Sequence, residues 1–158
     1  MVFASVRASL PELKPWMVWA VDDYSQEGAE VWCRQAAGKF MLRQEFHYLL
    51  LLAETEEHVG TAGIFTVDWK AGTCEIGYWQ TTRHSGHGYM MEAVEALTGL
   101  AFGALSMGRV EIGTDERNER SRRVAERCGY ALEGIYRRVK LDTAGKHYDG
   151  CVYSKLRA

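Results

Sequence analysis

Between Arg83 and Tyr89 the chain reads Arg83-His84-Ser85-Gly86-His87-Gly88-Tyr89, and apolar residues at helical spacing follow at once. The first turn of a helix has backbone N–H groups without intrahelical partners, and they carry the positive end of the helix dipole. Glycines let the chain approach an anion closely and take conformations that other residues avoid. The combination predicts a cradle for a pyrophosphate. A lysine-bearing P-loop is excluded, because no Gly-Lys-Ser/Thr follows. The dinucleotide fingerprint is excluded too, because Met91 stands where its third glycine belongs. A Gly-x-Gly before a helix is also an ordinary turn, so a second feature has to choose between the readings.

That feature is Asn118-Glu119-Arg120-Ser121-Arg122-Arg123-Val124-Ala125-Glu126-Arg127-Cys128-Gly129-Tyr130. Its polar start suits a capped helix with Val124, Ala125 and Cys128 on the apolar side. The arginines fit two readings: a solvated face with Glu119–Arg123 and Arg122–Glu126 pairs at i,i+4, or a phosphate-binding edge beside the first cradle.

These segments need elements to hold them. Leu10 to Trp16 reads as a turn-rich connection, with Trp16 and Trp19 at helical spacing behind it. Ser25 to Leu42 reads as a helix capped by Ser25, with Ala29, Trp32, Cys33, Ala36, Ala37 and Phe40 as its stripe. Strands are predicted over Phe46–Glu54, Val59–Trp69 and Cys74–Gln80, an antiparallel meander. A helix follows over Gly88–Ser106, closed by Gly108. Next come a strand at Arg109–Thr114 and a helix at Glu119–Cys128, ended by Gly129. Ala131–Leu141 and His147–Leu156 form a hairpin about Thr143-Ala144-Gly145-Lys146. The order implies an α+β fold in three layers, with a mixed sheet and helices on both faces.

With 158 residues there is material for one domain. Hydrophobic residues at 47% and charged residues at 25% exclude a disordered chain. A formal net charge of −2 gives no global attraction to nucleic acid. No apolar run approaches a membrane span, and no secretory signal is visible. Cys33, Cys74, Cys128 and Cys151 lack redox or zinc spacing, and scattered cysteines suit a reducing cytoplasm. His84 and His87 are three apart, but Ser85 and Gly86 between them favour a loop over a helical ligand pair, so no metal is expected.

Arg83-x-x-Gly86-x-Gly88 resembles the pyrophosphate loop of the GNAT superfamily of N-acetyltransferases, and Asn118 to Tyr130 resembles its second coenzyme motif. Glu75-Ile76-Gly77-Tyr78-Trp79, Gly88-Tyr89-Met90-Met91-Glu92-Ala93 and the Asn118–Gly134 pattern are similar to the branch with ribosomal-protein serine/alanine N-acetyltransferases. The resemblance spans roughly residues 3 to 156. It implies acetyl-CoA as cosubstrate and direct attack by an amine, without an acyl-enzyme. It also implies a mostly antiparallel sheet with a V-shaped splay between two parallel strands.

On this resemblance, the Ser85–Gly88 loop (with His84 and His87) and the Tyr89 N–H hold the pyrophosphate, and Arg83 and Arg123 add charge-assisted bonds. Main-chain groups from Tyr78 through Trp79 to Gln80 lie along the pantetheine, and Asn118 holds that arm. A strand N–H near Tyr78 polarises the thioester carbonyl. Glu75 is the first expectation for the base, since a carboxylate on an apolar strand is costly to bury unless used or paired. An exposed acid or an arginine's partner is its other reading. Glu92 is the second candidate, with complementing the helix dipole as its other reading. Ala125 occupies the position, seven after Asn118, where many members carry a tyrosine acid, which leaves Ser121 as the substitute.

Trp16, Trp19, Tyr24, Trp69 and Tyr136 are candidates to line the acceptor cleft, against the alternative that each is core. A peptide N-terminus is the branch-level expectation, and a small amine such as an antibiotic or polyamine is the alternative. A CoA-binding module without catalysis is a third class. The family's opening strand is not found before Phe3, so residues 1–158 read as one N-terminally incomplete acetyltransferase domain. The Phe46–Glu54 strand is then expected to have an open edge, which a homodimer would cover.

Overall fold

The computed structural model describes residues 1–158. The chain opens with α1 (Val2–Ala8), a one-turn α2 (Leu10–Leu13) and α3 (Gln26–Met41). A meander of β1 (Phe46–Leu51), β2 (His58–Asp68) and β3 (Thr73–Gln80) follows, then a 3₁₀ turn at Thr82–His84 and α4 (Tyr89–Phe102). The remainder is β4 (Arg109–Asp115), α5 (Glu119–Arg127), β5 (Ala131–Leu141) and β6 (His147–Leu156).

The six strands lie in the order β1-β2-β3-β4-β6-β5. All neighbours are antiparallel except β3 and β4. The mixed, mostly antiparallel sheet expected from the sequence is present.

Strand alternation sorts side chains by face. Ile64, Cys74, Ile76, Val110 and Ile112 point to one face and form the main core with Met90, Val94, Leu97 and Ala101 of α4 and Ala125 of α5. Fully burying each large side chain there contributes about 1.5–3 kcal/mol. Trp79 points to the opposite face and packs on a smaller core of Val2, Val6, Leu10, Leu13 and Ala20. Helix α3 runs along β1: Trp32 meets His47 edge-on at 5.4 Å, while Phe40 meets Phe46 at 5.3 Å and Tyr48 at 5.7 Å. Ser25 caps it, its Oγ accepting from the Gly28 N–H at 3.0 Å.

Several boundaries differ from the sequence reading. Val2–Ala8 is helical, and Leu10–Leu13 makes a helical turn where a plain connection was expected. Trp16 and Trp19 lie in turns, because Pro15 has no N–H to continue a helix. Strand β1 stops at Leu51, after a bulge between Leu50 and Leu51. Helix α4 ends at Phe102 with Gly103 as its cap, whereas Gly108 instead leads into β4, its N–H donating to the Gly72 carbonyl at 2.7 Å.

The feature that matters for function is the brevity of the β3–β4 ladder. It covers only Thr73↔Arg109, Cys74↔Val110 and Glu75↔Glu111. Beyond Glu75, β3 continues with β2 to Gln80, and β4 continues with β6 to Asp115. The two strands therefore part, and no residue of β3 beyond Glu75 pairs with a residue of β4. An extended ligand can take the place of the missing strand pairing.

Candidate active site

The loop after β3 wraps from Thr81 to Gly88 and delivers the chain to α4. Gly86 has φ +86° and Gly88, the residue that caps α4, has φ +84°; side-chain-bearing residues disfavour both conformations. A Cβ at either glycine would meet no atom within 4 Å, so the loop's outer surface is open. The N–H groups of Gly86, His87, Gly88, Tyr89 and Met90 make no hydrogen bond within the protein. Five successive free donors stand at the positive end of a 14-residue helix, an arrangement that suits an anion.

Next to the cradle a cavity of about 740 Å³ passes through the parting of β3 and β4. Gly77, Tyr78, Trp79 and Gln80 line it from β3, Ile112 to Asp115 from β4, and Asn118, Ser121 and Val124 from α5. Ser85 and Met90 connect it to the cradle. Asn118 caps α5, its Oδ1 accepting from the Ser121 N–H at 3.1 Å.

Tyr78 reaches across the gap: its hydroxyl donates to the Ser121 carbonyl at 3.0 Å and lies 3.2 Å from Ser121 Oγ. Burial pushes the Tyr78 phenol up to about 12, so it stays protonated at any physiological pH. Ala125, in the position where a tyrosine was sought, is fully buried in the core.

The charged candidates lie elsewhere. The Arg83 guanidinium is ion-paired with Glu57, which also contacts His84 Nε2 at 3.0 Å. Arg123 pairs with Glu119 at 2.6 Å on the exposed face of α5, which is the solvated pair that the i,i+4 spacing allowed. Arg122 and Glu126 meet through Tyr153, whose hydroxyl accepts from Arg122 Nε at 3.0 Å and donates to Glu126 at 2.8 Å.

Glu75 sits on the last paired rung of β3 and β4, and its Oε1 is 3.2 Å from where a Gly113 Cβ would be. It lines a smaller adjoining cavity of about 190 Å³ with Glu111, Tyr136 and Tyr148. Glu92 is exposed on α4 and borders neither cavity.

Of the aromatic candidates, Trp16, Trp19 and Tyr24 line the large cavity. Tyr136 lines only the small one. Trp69 borders neither: its Nε1 donates to the Arg43 carbonyl at 3.2 Å, and the Arg43 guanidinium lies 4.8 Å over its ring. Trp32, His47 and Phe65 also line the large cavity and were not singled out from the sequence. Trp32 stands out only as part of the apolar stripe of its helix, and the signal for His47 is the alternation that puts it on the face opposite Phe46 and Tyr48. No group of three or more His, Cys, Asp or Glu side chains is arranged to hold a metal.

Residues 3–131 match the family model described as "Acetyltransferase (GNAT) domain". The chain belongs to the GNAT acetyltransferase family. It is 34% identical over 128 residues to the "Probable N-acetyltransferase YjcK" of Bacillus subtilis (strain 168), covering 80% of this chain and 71% of that one. It is 28% identical over 104 residues to the ribosomal-protein-serine acetyltransferase of Escherichia coli (strain K12), covering 65% of this chain and 58% of the relative. Among solved structures, the microcin C7 self-immunity acetyltransferase MccE in complex with acetyl-CoA and AMP superposes with a TM-score of 0.91. That likeness covers 99% of this chain and 85% of the other at 20% identity, and it is one of fold. The family makes the protein an acetyl-CoA-dependent acetyltransferase.

Proposed function

We propose that the protein transfers the acetyl group of acetyl-CoA to the primary amine at the N-terminus of a peptide or protein. The observation that carries this reading is the run of five free N–H groups, Gly86 to Met90, opening onto a cavity that crosses the sheet between β3 and β4. A diphosphate at the cradle lets the pantetheine run along the unpaired edge of β3, past Tyr78. The thioester then lies in the gap, with its carbonyl toward a β3 N–H that β4 leaves free. Asn118 holds the arm from the start of α5. Arg83 and Arg123, both exposed, exchange their carboxylate partners for phosphate oxygens.

The amine reaches the thioester from the face of Trp79. The ammonium first loses a proton to Glu75, at the vertex of the gap, directly or through water. The amine nitrogen then bonds to the carbonyl carbon, the carbon–sulfur bond breaks and its electron pair stays on sulfur. The thiolate is protonated from the side of Ser121, and the amide nitrogen sheds its remaining extra proton. The net products are the acetylated amine, CoA thiol and one proton.

The ribosomal-protein-serine acetyltransferase among the relatives supports a peptide acceptor and a cytoplasmic setting. Thiol release from acetyl-CoA, measured with a panel of peptides and small amines, tests the reading. Stabilisation by CoA with no thiol release on any amine overturns it in favour of a binding module.

A further inference from the structure

The cavity is larger and more aromatic than a pantetheine arm requires, and the surplus lies on the face opposite α4. There Trp16, Trp19, Tyr24, Trp32 and Phe65 line it, with His47 among them. Their rings meet at angles rather than closing into a solid core. Trp19 stands at 62° to Trp79 with centroids 5.8 Å apart and at 50° to Tyr24 at 6.1 Å, and His47 lies edge-on to Phe65 at 4.9 Å. Trp16 and Trp19 each remain 38% exposed, an uncommon state for tryptophan and one that binding would relieve.

The charges of the lining point the same way. Its carboxylates are Glu12, Asp115 and Asp142, against Arg120 and Lys140. Asp115 and Asp142 are both held by Arg117, at 2.6 and 3.4 Å. Only Glu12 stands on the aromatic side, already accepting from Thr82 Oγ1 at 3.0 Å. A polyamine or an aminoglycoside carries several cations and needs several free carboxylates, which this lining lacks. A methyl or hydroxymethyl side chain leaves the aromatic walls wet and gains nothing from them.

We infer that the acceptor presents a planar aromatic side chain beside its amine, seated among Trp19, Trp32 and Phe65 while the amine points into the gap between β3 and β4. This rests on the transfer reading above and narrows its substrate class. Aromatic walls favour a flat ring by edge-to-face and offset contact, and their negative faces attract the approaching ammonium before it is deprotonated.

The test uses the full chain, acetyl-CoA and peptides that differ only in their first residue (Phe, Trp, Ala or Ser), with spermidine as the polycation. The expected kcat/KM for the Phe and Trp peptides exceeds that for Ala and Ser by about 10- to 100-fold. Trp32→Ala is expected to collapse that ratio toward one, chiefly through the KM of the aromatic peptides. Equal or faster turnover of the Ala or Ser peptides or of spermidine overturns the inference. So does a Trp32→Ala variant that slows all peptides alike, because that marks a merely structural ring. If no amine releases thiol, the transfer reading itself fails. The aromatic slot is then judged by quenching of tryptophan fluorescence in the CoA-loaded protein with phenylalanine amide: saturable quenching supports it and none overturns it.

Discussion

Helix α4 has one glycine at its cap and another in its interior, and the two should respond in opposite directions to the same change. Gly88 caps the helix at φ +84°, and a Cβ there meets nothing within 4 Å, so Gly88→Ala suffers no clash, only the left-handed backbone. That conformation costs a residue with a Cβ about 1–2 kcal/mol. If the loop relaxes to a negative φ instead, the free N–H groups at Gly88 and Tyr89 no longer converge. Each charge-assisted bond to a phosphate contributes about 1.5–3 kcal/mol, so losing one weakens CoA binding about 10- to 150-fold.

Gly99 lies inside the same helix with open space around its Cβ position. Gly99→Ala should stabilise the fold by about 0.5–1 kcal/mol, and CoA affinity should stay at the wild-type value. Urea unfolding gives the stabilities and titration calorimetry the affinities. A Gly88→Ala variant that binds CoA as tightly as wild type would refute the cradle, because the left-handed turn would then not be aiming donors at the ligand.

Other consequences follow from individual side chains. Glu75→Gln is expected to lower the thiol-release kcat by about 100-fold or more, with little change in the KM for acetyl-CoA; an unchanged kcat removes Glu75 as the base. Tyr78→Phe removes the link to Ser121 and should cost about 1–2 kcal/mol in urea unfolding; wild-type stability would show that this bridge contributes nothing. His58 is buried against Trp79, its Nδ1 has no partner, and burial holds it below the ordinary histidine range. The unfolded chain therefore takes up a proton at His58 more readily than the folded one, so stability falls as pH drops through about 6.5 and below. His58→Gln should flatten that acid-side loss in unfolding curves taken at stepped pH, and an unaltered slope would assign the loss to other groups.

Local pattern made much of this molecule legible. The hairpin turn Thr143-Ala144-Gly145-Lys146 separated Ala131–Leu141 from His147–Leu156, and both strands have the ends expected from the sequence. The glycines at 86 and 88 announced the turn into α4, and Asn118 announced the cap of α5. Such features depend on backbone sterics and on hydrogen bonds within a few residues, so the sequence carries them directly. The ends of α4 and β1 were less legible, because apolar spacing continues past the point where the chain leaves its element.

From Ser25 onward, amino-acid order alone determined the kinds of element, their succession, and the pairing of a glycine turn with a helix tip, whereas the two short helices before it were not legible. The tertiary structure decided which distant groups meet. It placed Arg83 on Glu57, Trp69 against Arg43, and Trp16, Trp19, Trp32 and Phe65 around one cavity. It also ended the β3–β4 ladder after Glu75, which opens the gap through the sheet. An arginine pairs with whichever carboxylate packing brings near, and a tryptophan lines a cavity or a surface according to which strands and helices enclose it. Neither choice is encoded within a few residues of the side chain, because the energies that make it come from contacts closed only when the whole sheet has assembled.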